Sequence, residues 1–216
     1  RQRGVRRGLT AGGYDTTAGH RLLIGDPRVC KVDTPGREKR YAVVLVLDRS
    51  GSMRNGEPPK IEVATKALAR FAVAAEGLGI EVAIVDFVDG HARLVKPFTV
   101  ETHHVQATLL DTDCGGGTPL ADALGLARRL VENHRDEPLI VAVTDGEPSS
   151  VDNVVDQIRA SHVPVCSLTI ATDTQVGHLS TDASELAEYY EREATVYDGE
   201  RLDDRLDQFA SLLIGF

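Results

Sequence analysis

The sequence predicts an α/β protein with three layers, in which helices cover both faces of a mostly parallel, doubly wound sheet. Two observations lead to this fold class. Apolar runs of strand length, at residues 41–48, 80–87 and 138–145, alternate along the chain with segments of helical periodicity. These runs are continuously apolar, which is typical of parallel strands that are buried on both faces. Ligands of such sheets bind beyond the carboxyl ends of the strands, so we expect a functional site there.

The helices are predicted from apolar residues that recur every three or four positions. Residues 60–76 carry such residues from Ile61 to Ala75, before Gly77 and Gly79 end the segment. The other predicted elements are, in chain order, a short strand at 92–95, a helix around 102–110, a helix after the glycine run at 115–117, a helix at 151–161, a strand at 164–171, a helix near 180–192, a strand around 195–198 and a helix at 202–214.

Residues 1–40 differ in composition from the rest of the chain. They hold ten Lys or Arg against four Asp or Glu, although the whole chain has a net charge of -9. We therefore divide the chain into a basic, Gly-rich N-terminal extension over residues 1–40 and a globular domain over residues 41–216. The extension is expected to be irregular apart from one short element near residues 21–26. The acidic domain would repel phosphates, which argues against nucleic-acid binding.

The cysteines and the hydropathy pattern bear on the cellular setting. Cys30, Cys114 and Cys166 are widely spaced and form no CxxC pair, which argues against a disulfide framework or a zinc site. No run approaches the roughly 18 consecutive apolar residues of a membrane helix, so we predict no membrane span in this chain. We expect a reducing, cytoplasmic localisation.

Polar residues collect at three points that the predicted sheet brings to one edge. Asp48, Ser50 and Ser52 follow the first long strand. Thr118 closes the glycine run, where it is also placed to cap the next helix, and Asp145 ends the third long strand. Because the carboxyl ends of parallel strands share one edge, residues distant in sequence can converge there.

The chemistry of these five side chains indicates a hard metal ion. Two clustered carboxylates are costly to bury, because each loses hydration and they repel each other. A divalent cation removes both costs, and Mg²⁺ takes oxygen ligands while usually keeping some water. The five side chains offer oxygen donors only, which disfavours softer metals. We therefore predict a Mg²⁺ or Mn²⁺ site, at which a partner protein's Asp or Glu completes the ion's ligands.

The segments DRSGSM, GGGTPL and VTDGEP together resemble the von Willebrand factor A-type domain and its metal-ion-dependent adhesion site. The family motif is Asp-x-Ser-x-Ser, then a Thr and then an Asp, and all five positions are intact in this chain. The resemblance covers about residues 41–215. It implies a Rossmann-like sheet of about six strands, with the short third strand antiparallel at one edge. It also implies that the first four ligands lie close to the ion, whereas Asp145 more often acts through water.

A narrower resemblance precedes the first strand. The segment AGGYDTTAGHRLLIGDPRVCKVDTP is similar to the lead-in of cobaltochelatase and magnesium-chelatase accessory subunits, which work with MoxR-like AAA+ ATPases. This resemblance implies a MoxR-like ATPase as the partner. The expected function is therefore a metal-dependent protein–protein interaction, with no catalysis in this chain.

Two alternative functions stay open. An aspartate beside a serine at a strand end is also similar to haloacid-dehalogenase-type phosphotransferases, which would make the chain a Mg²⁺-dependent phosphatase-like enzyme. Those enzymes need a second acid two residues after the nucleophile, where this chain has Ser50. The other alternative is an extracellular adhesion module.

Two further charged residues stand near the predicted site. Asp86 interrupts an apolar strand, so we expect it at an edge of the sheet or paired with a partner. Arg49 lies between metal-loop positions and is expected to point outward, where it would favour an acidic partner protein.

Overall fold

The chain divides into two compact units, Arg1–Lys39 with Ile214–Phe216 and Arg40–Leu213. A computed structural model describes residues 4–9, 13–14, 30–34, 40–145, 147–170 and 185–196. The short element predicted near residues 21–26 and the helix predicted at 202–214 lie outside the described residues.

The first unit contains a small antiparallel sheet. Its strands are β1 (Gly4–Leu9), β2 (Gly13–Tyr14) and β3 (Cys30–Thr34), in the spatial order β1-β3-β2. The irregular chain expected over residues 1–40 is therefore wrong for these segments. These short strands are held by backbone pairing with β3, which does not depend on their side chains. Because the segment is rich in glycine, its sequence lacks the alternation of apolar and polar residues from which a strand is predicted.

The second unit alternates strands and helices. In chain order it comprises β4 (Tyr41–Asp48), a 3-10 turn (Gly51–Arg54), α1 (Lys60–Gly77), β5 (Glu81–Val88), β6 (His91–Lys96), α2 (Thr102–Leu109), α3 (Leu120–Val131), β7 (Glu137–Thr144), α4 (Val151–Arg159), β8 (Val165–Ile170) and β9 (Arg192–Val196). These elements confirm the predicted α/β fold class.

The strands of this unit form one six-stranded sheet in the order β6-β5-β4-β7-β8-β9. All neighbouring pairs are parallel except β5 and the edge strand β6, as the resemblance implied. The chain leaves β4 toward β5 on one side and later returns to place β7 on the other. The loops that follow β4 and β7 therefore meet at the topological switch point, where ligands of such sheets bind.

The core lies on both faces of the sheet, which places helices in the outer two layers. Alternate residues of β4 point to opposite faces. Val43, Leu45 and Leu47 share one buried cluster with the apolar side of α1. Ala42, Val44 and Val46 share the other with α3 and α4, and this double burial explains why β4 is continuously apolar.

Several element boundaries differ by a few residues from those predicted. Helix α3 begins at Leu120, with Pro119 at its N-cap. Strand β9 begins at Arg192, three residues before the predicted start and within the helix predicted near 180–192. Of that helix, residues 180–184 lie outside the described residues and residues 185–186 are helical. Within the described ranges, no helix combines the length and apolar character needed to span a bilayer.

Candidate metal centre

Asp48 stands at the carboxyl end of β4 with its side chain fully buried. Its Oδ1 accepts a hydrogen bond from the Ser50 backbone N–H at 2.7 Å, and its Oδ2 accepts one from the Thr144 hydroxyl at 2.7 Å. Burial, together with the nearby charge of Asp145, raises the pKa of Asp48 to about 6 in spite of these bonds. The site therefore holds more negative charge than the surrounding groups neutralise.

Asp145 follows directly on β7 and is 8% exposed. Its Oδ2 accepts from the Lys60 ammonium across 3.4 Å, which is long for a charged hydrogen bond. Its Oδ1 is buried and has no hydrogen-bond partner among the described residues. A buried carboxylate oxygen without a partner is rare and costly, and such an atom is commonly satisfied by an ordered water or an ion.

The two serines of the motif lie side by side. Ser50 is buried in extended backbone just before the 3-10 turn, and Ser52 is half-buried within that turn. Their hydroxyl oxygens are 3.0 Å apart and share a hydrogen bond. The turn thus presents two neutral oxygen donors next to the carboxylate of Asp48.

Thr118 is buried at the end of the glycine loop. Its backbone N–H donates to the Ser149 hydroxyl at 3.0 Å, and its carbonyl accepts from the Ser149 backbone N–H at 3.0 Å. The predicted helix-capping role of Thr118 is wrong: Pro119 precedes α3 with a non-helical ψ of 54°, and no side chain caps the helix. These two bonds join the glycine loop to the loop after β7.

Backbone hydrogen bonds also join the glycine loop to the loops after β4 and β5. Gly51 N–H donates to the Gly116 carbonyl at 3.3 Å, and Gly115 N–H donates to the Arg49 carbonyl at 2.9 Å. Asp89 N–H donates to the Gly115 carbonyl at 3.1 Å. Gly116 has a φ of 71°, and a Cβ built on it would lie 2.7 Å from the Asp89 Cα. The loops approach so closely here that only glycine fits.

Arg49 does not point outward, so that prediction is wrong. Its side chain is 1% exposed, and its Nε donates to the Asp86 carboxylate at 2.7 Å. The same guanidinium also donates to the carbonyls of Thr108, Leu109 and Asp111. The side chain points inward because it forms an ion pair with Asp86, a fully buried acid on the neighbouring strand that needs a positive charge beside it. The charge of Arg49 is therefore paired with Asp86, and its side chain is not exposed at the surface where it could attract an acidic partner protein.

Three residues near the site were not predicted from the sequence. Thr144 donates to Asp48, Ser149 binds both backbone groups of Thr118, and Lys60 contacts Asp145. For Lys60 the sequence carries a signal, because it lies four positions before Ala64 on the apolar face of α1. A lysine placed on a buried helical face needs an acid to receive its charge.

The donor set fits a hard cation that keeps water ligands. Among the residues that the structure describes, no three His, Cys, Asp or Glu residues cluster as a metal site. The candidate set instead combines two carboxylates with three hydroxyls, and Mg²⁺ is commonly bound in proteins by only one or two carboxylates together with water. The unpartnered Asp145 Oδ1 is the atom that this ion would satisfy.

Comparisons with known proteins agree with the fold. The family model described as von Willebrand factor type A domain matches residues 43–147. The vWF domain of the type V pili tip protein Mfa5 from Porphyromonas gingivalis aligns with a TM-score of 0.68 at 12% identity, covering 82% of this chain and 96% of that one. The PilB minor pilin from Streptococcus sanguinis aligns with a TM-score of 0.69 at 13% identity, covering 87% of this chain and 66% of that one. The chain therefore has the fold of a von Willebrand factor type A domain.

One curated relative is more similar in sequence. The uncharacterized protein Rv2850c of Mycobacterium tuberculosis is 35% identical over 132 residues, which is 58% of this chain and 20% of that protein. The chain thus spans about a fifth of the length of the curated relative it matches.

Proposed function

We propose that this domain binds a partner protein through a divalent cation, Mg²⁺ or Mn²⁺, held at the carboxyl edge of the sheet. Asp48, Ser50, Ser52, Thr118 and Asp145 would hold the ion. When bound, the ion supplies a Lewis-acidic position for a carboxylate of the partner. The observation that carries the proposal is the buried Asp145 Oδ1, which has no hydrogen-bond partner among the described residues.

The electrostatics of the site support the same proposal. Asp48 and Asp145 are both buried, and burial together with the nearby charge of Asp145 raises the pKa of Asp48. Among the described residues, Lys60 is the cation that contacts Asp145, and Arg49 pairs with Asp86. A divalent cation would therefore lower the free energy of the folded domain.

The first test is thermal unfolding with and without Mg²⁺. At a Mg²⁺ concentration of about 100 times Kd, binding stabilises by roughly 2.7 kcal/mol, which raises Tm by about 5–10 °C. We expect this rise in the parent and its loss in Asp48→Ala, with the fold retained by circular dichroism. Asp156→Ala, at an exposed position of α4, is the matched control and should respond as the parent does. Identical Mg²⁺ responses of Asp48→Ala and the parent would contradict the proposed site.

The partner that we propose is a MoxR-like AAA+ ATPase, in a cytoplasmic complex of the chelatase type. The support is the resemblance of residues 11–35 to the lead-in of chelatase accessory subunits. Affinity capture with the chain as bait, in Mg²⁺ and in EDTA, tests it. Recovery of an AAA+ protein only in Mg²⁺ supports the proposal, whereas recovery of surface or pilus proteins would favour the adhesion alternative, which two pilus-protein structures of like fold make worth testing.

The phosphatase alternative is tested separately. Ser50 occupies the position at which haloacid-dehalogenase-type enzymes need an acid, and a serine cannot protonate a leaving group at neutral pH. Hydrolysis of a generic aryl phosphate in Mg²⁺ that is lost in Asp48→Ala would overturn the non-catalytic proposal.

A further inference from the structure

Lys60 is a buried cation with one acid partner, Asp145, among the described residues. It is the first residue of α1 and is 5% exposed, and its backbone N–H donates to the Asn55 carbonyl at 3.0 Å. Its Nζ is 3.4 Å from Asp145 Oδ2. Burying a lysine is costly unless its charge is received by an acid, so this contact fixes where the ammonium lies.

The charges around the candidate metal centre can be added up. Asp48 and Asp145 contribute -1 each and a divalent cation +2, so these three groups sum to zero. A site of zero net charge attracts an anionic ligand less strongly than a site of net positive charge does. With the +1 of Lys60 the sum becomes +1, and the buried surroundings screen this charge far less than water does.

Two other basic residues in the described part of the chain, Arg49 and Arg54, do not change this sum. Arg49 is buried against Asp86, so its charge is matched within the protein. Arg54 is exposed, and solvent and salt screen its charge. Lys60 is therefore the buried cation of the described residues that is paired with a proposed metal ligand.

We infer that Lys60 determines the ligand specificity of the site: it lowers the affinity for the divalent cation and makes the loaded site cationic, so that the site selects a carboxylate over a neutral oxygen ligand. This inference rests on the proposed function. It assigns opposite effects to one charge, because an ammonium repels a cation and attracts an anion. Removing the charge should thus strengthen metal binding and weaken carboxylate binding, which a purely structural lysine would not do.

The test uses Mn²⁺ as the metal probe and acetate as the carboxylate probe. Mn²⁺ affinity is measured by electron paramagnetic resonance of the free ion. Acetate binding to the Mn²⁺-loaded chain is followed by the loss of water-proton relaxation as metal-bound water is displaced, at constant ionic strength. Acetamide, of similar shape and no charge, is the neutral probe.

We expect Lys60→Met to bind Mn²⁺ roughly tenfold more tightly than the parent and to lose roughly tenfold in preference for acetate over acetamide. Lys60→Arg keeps the charge, so its Mn²⁺ affinity and its preference for acetate over acetamide should both stay within about twofold of the parent's. Lys60→Gln can still hydrogen-bond to Asp145 and should give the same two changes as Lys60→Met. It replaces Lys60→Met in the test if circular dichroism shows that the methionine variant does not fold.

Three results would overturn the inference alone: unchanged or weaker Mn²⁺ binding in both uncharged variants, an unchanged acetate preference in them, or no acetate preference in a Mn²⁺-loaded parent. If the parent takes up no Mn²⁺, the proposed function itself fails. The Mn²⁺ titration of the parent therefore distinguishes the two failures.

Discussion

Asp86 and Asp145 are both buried acids toward the carboxyl ends of strands in one sheet, yet the protein balances their charges very differently. Asp86 receives Arg49 Nε at 2.7 Å on one oxygen and Arg93 Nε at 2.7 Å on the other. Among the described residues, Asp145 receives Lys60 on one oxygen, at 3.4 Å, and has no partner on the other. The comparison separates an acid whose charge is matched within the protein from an acid whose charge the described residues leave largely unmatched, as the proposed metal site requires.

The largest expected effect comes from removing the balanced acid. Asp86→Asn leaves Arg49 as an uncompensated buried charge, and breaking a buried ion pair in this way costs about 3–5 kcal/mol. Urea unfolding of the metal-free chain measures the loss. A loss below about 1 kcal/mol would mean that the carbonyls bonded to Arg49 suffice to hold it, and the contrast with Asp145 would then be weaker than the geometry indicates.

Replacing Asp48, the acid near Asp145, by Asn is expected to change the free energy of unfolding by a smaller amount and in the opposite direction. Its pKa is about 6 in the folded protein against an ordinary value of 3.8, so the folded state binds its proton more tightly. The stability due to this proton is complete below pH 3.8 and is lost as pH rises through about 6. The loss amounts to about 3 kcal/mol in metal-free protein.

Asp48→Asn is the control that isolates this effect, because every other titrating group is common to both chains. The difference in free energy of unfolding between variant and parent, measured by urea titration between pH 4 and pH 7, should grow in favour of the variant as pH rises. The same Asp-to-Asn change would thus destabilise at residue 86 and stabilise at residue 48. A difference that is flat with pH would show that the Asp48 charge is already compensated.

The smallest effect is expected at Arg93. Its side chain is 50% exposed, so solvent screens its pairing with Asp86, and Arg93→Gln should cost no more than about 1 kcal/mol. Urea unfolding measures this cost beside that of Asp86→Asn. A cost of 3 kcal/mol or more would indicate that Arg93, rather than Arg49, carries the neutralisation of Asp86.

The sequence predicted the features that depend on short, local patterns. Continuously apolar strands require burial on both faces, which led to the parallel sheet, and the positions of Asp48 and Asp145 at strand ends led to a shared edge. The inward direction of Arg49 was not predictable in this way, because it depends on an acid 37 residues away that becomes its neighbour only when β4 pairs with β5.

Two other features escaped prediction for related reasons. Burial of Lys60 follows from its helical face, but its partner Asp145 is 85 residues distant in sequence. The N-terminal sheet pairs short segments that are well separated in sequence, and its glycines interrupt the alternation of apolar and polar residues that would predict strands. In each case the missing information is a tertiary contact and not a local propensity.

The loops around the site are held together by main-chain hydrogen bonds from Gly51, Gly115 and Asp89, which use groups that every residue type except proline possesses. Exposed neighbours such as Asn55 and Glu147 take no part in these hydrogen bonds. Randomising such positions in a library would therefore change the surface next to the proposed site while the hydrogen-bonded loops keep their shape. One scaffold of this kind can acquire a different surface through exchange of its outermost side chains alone.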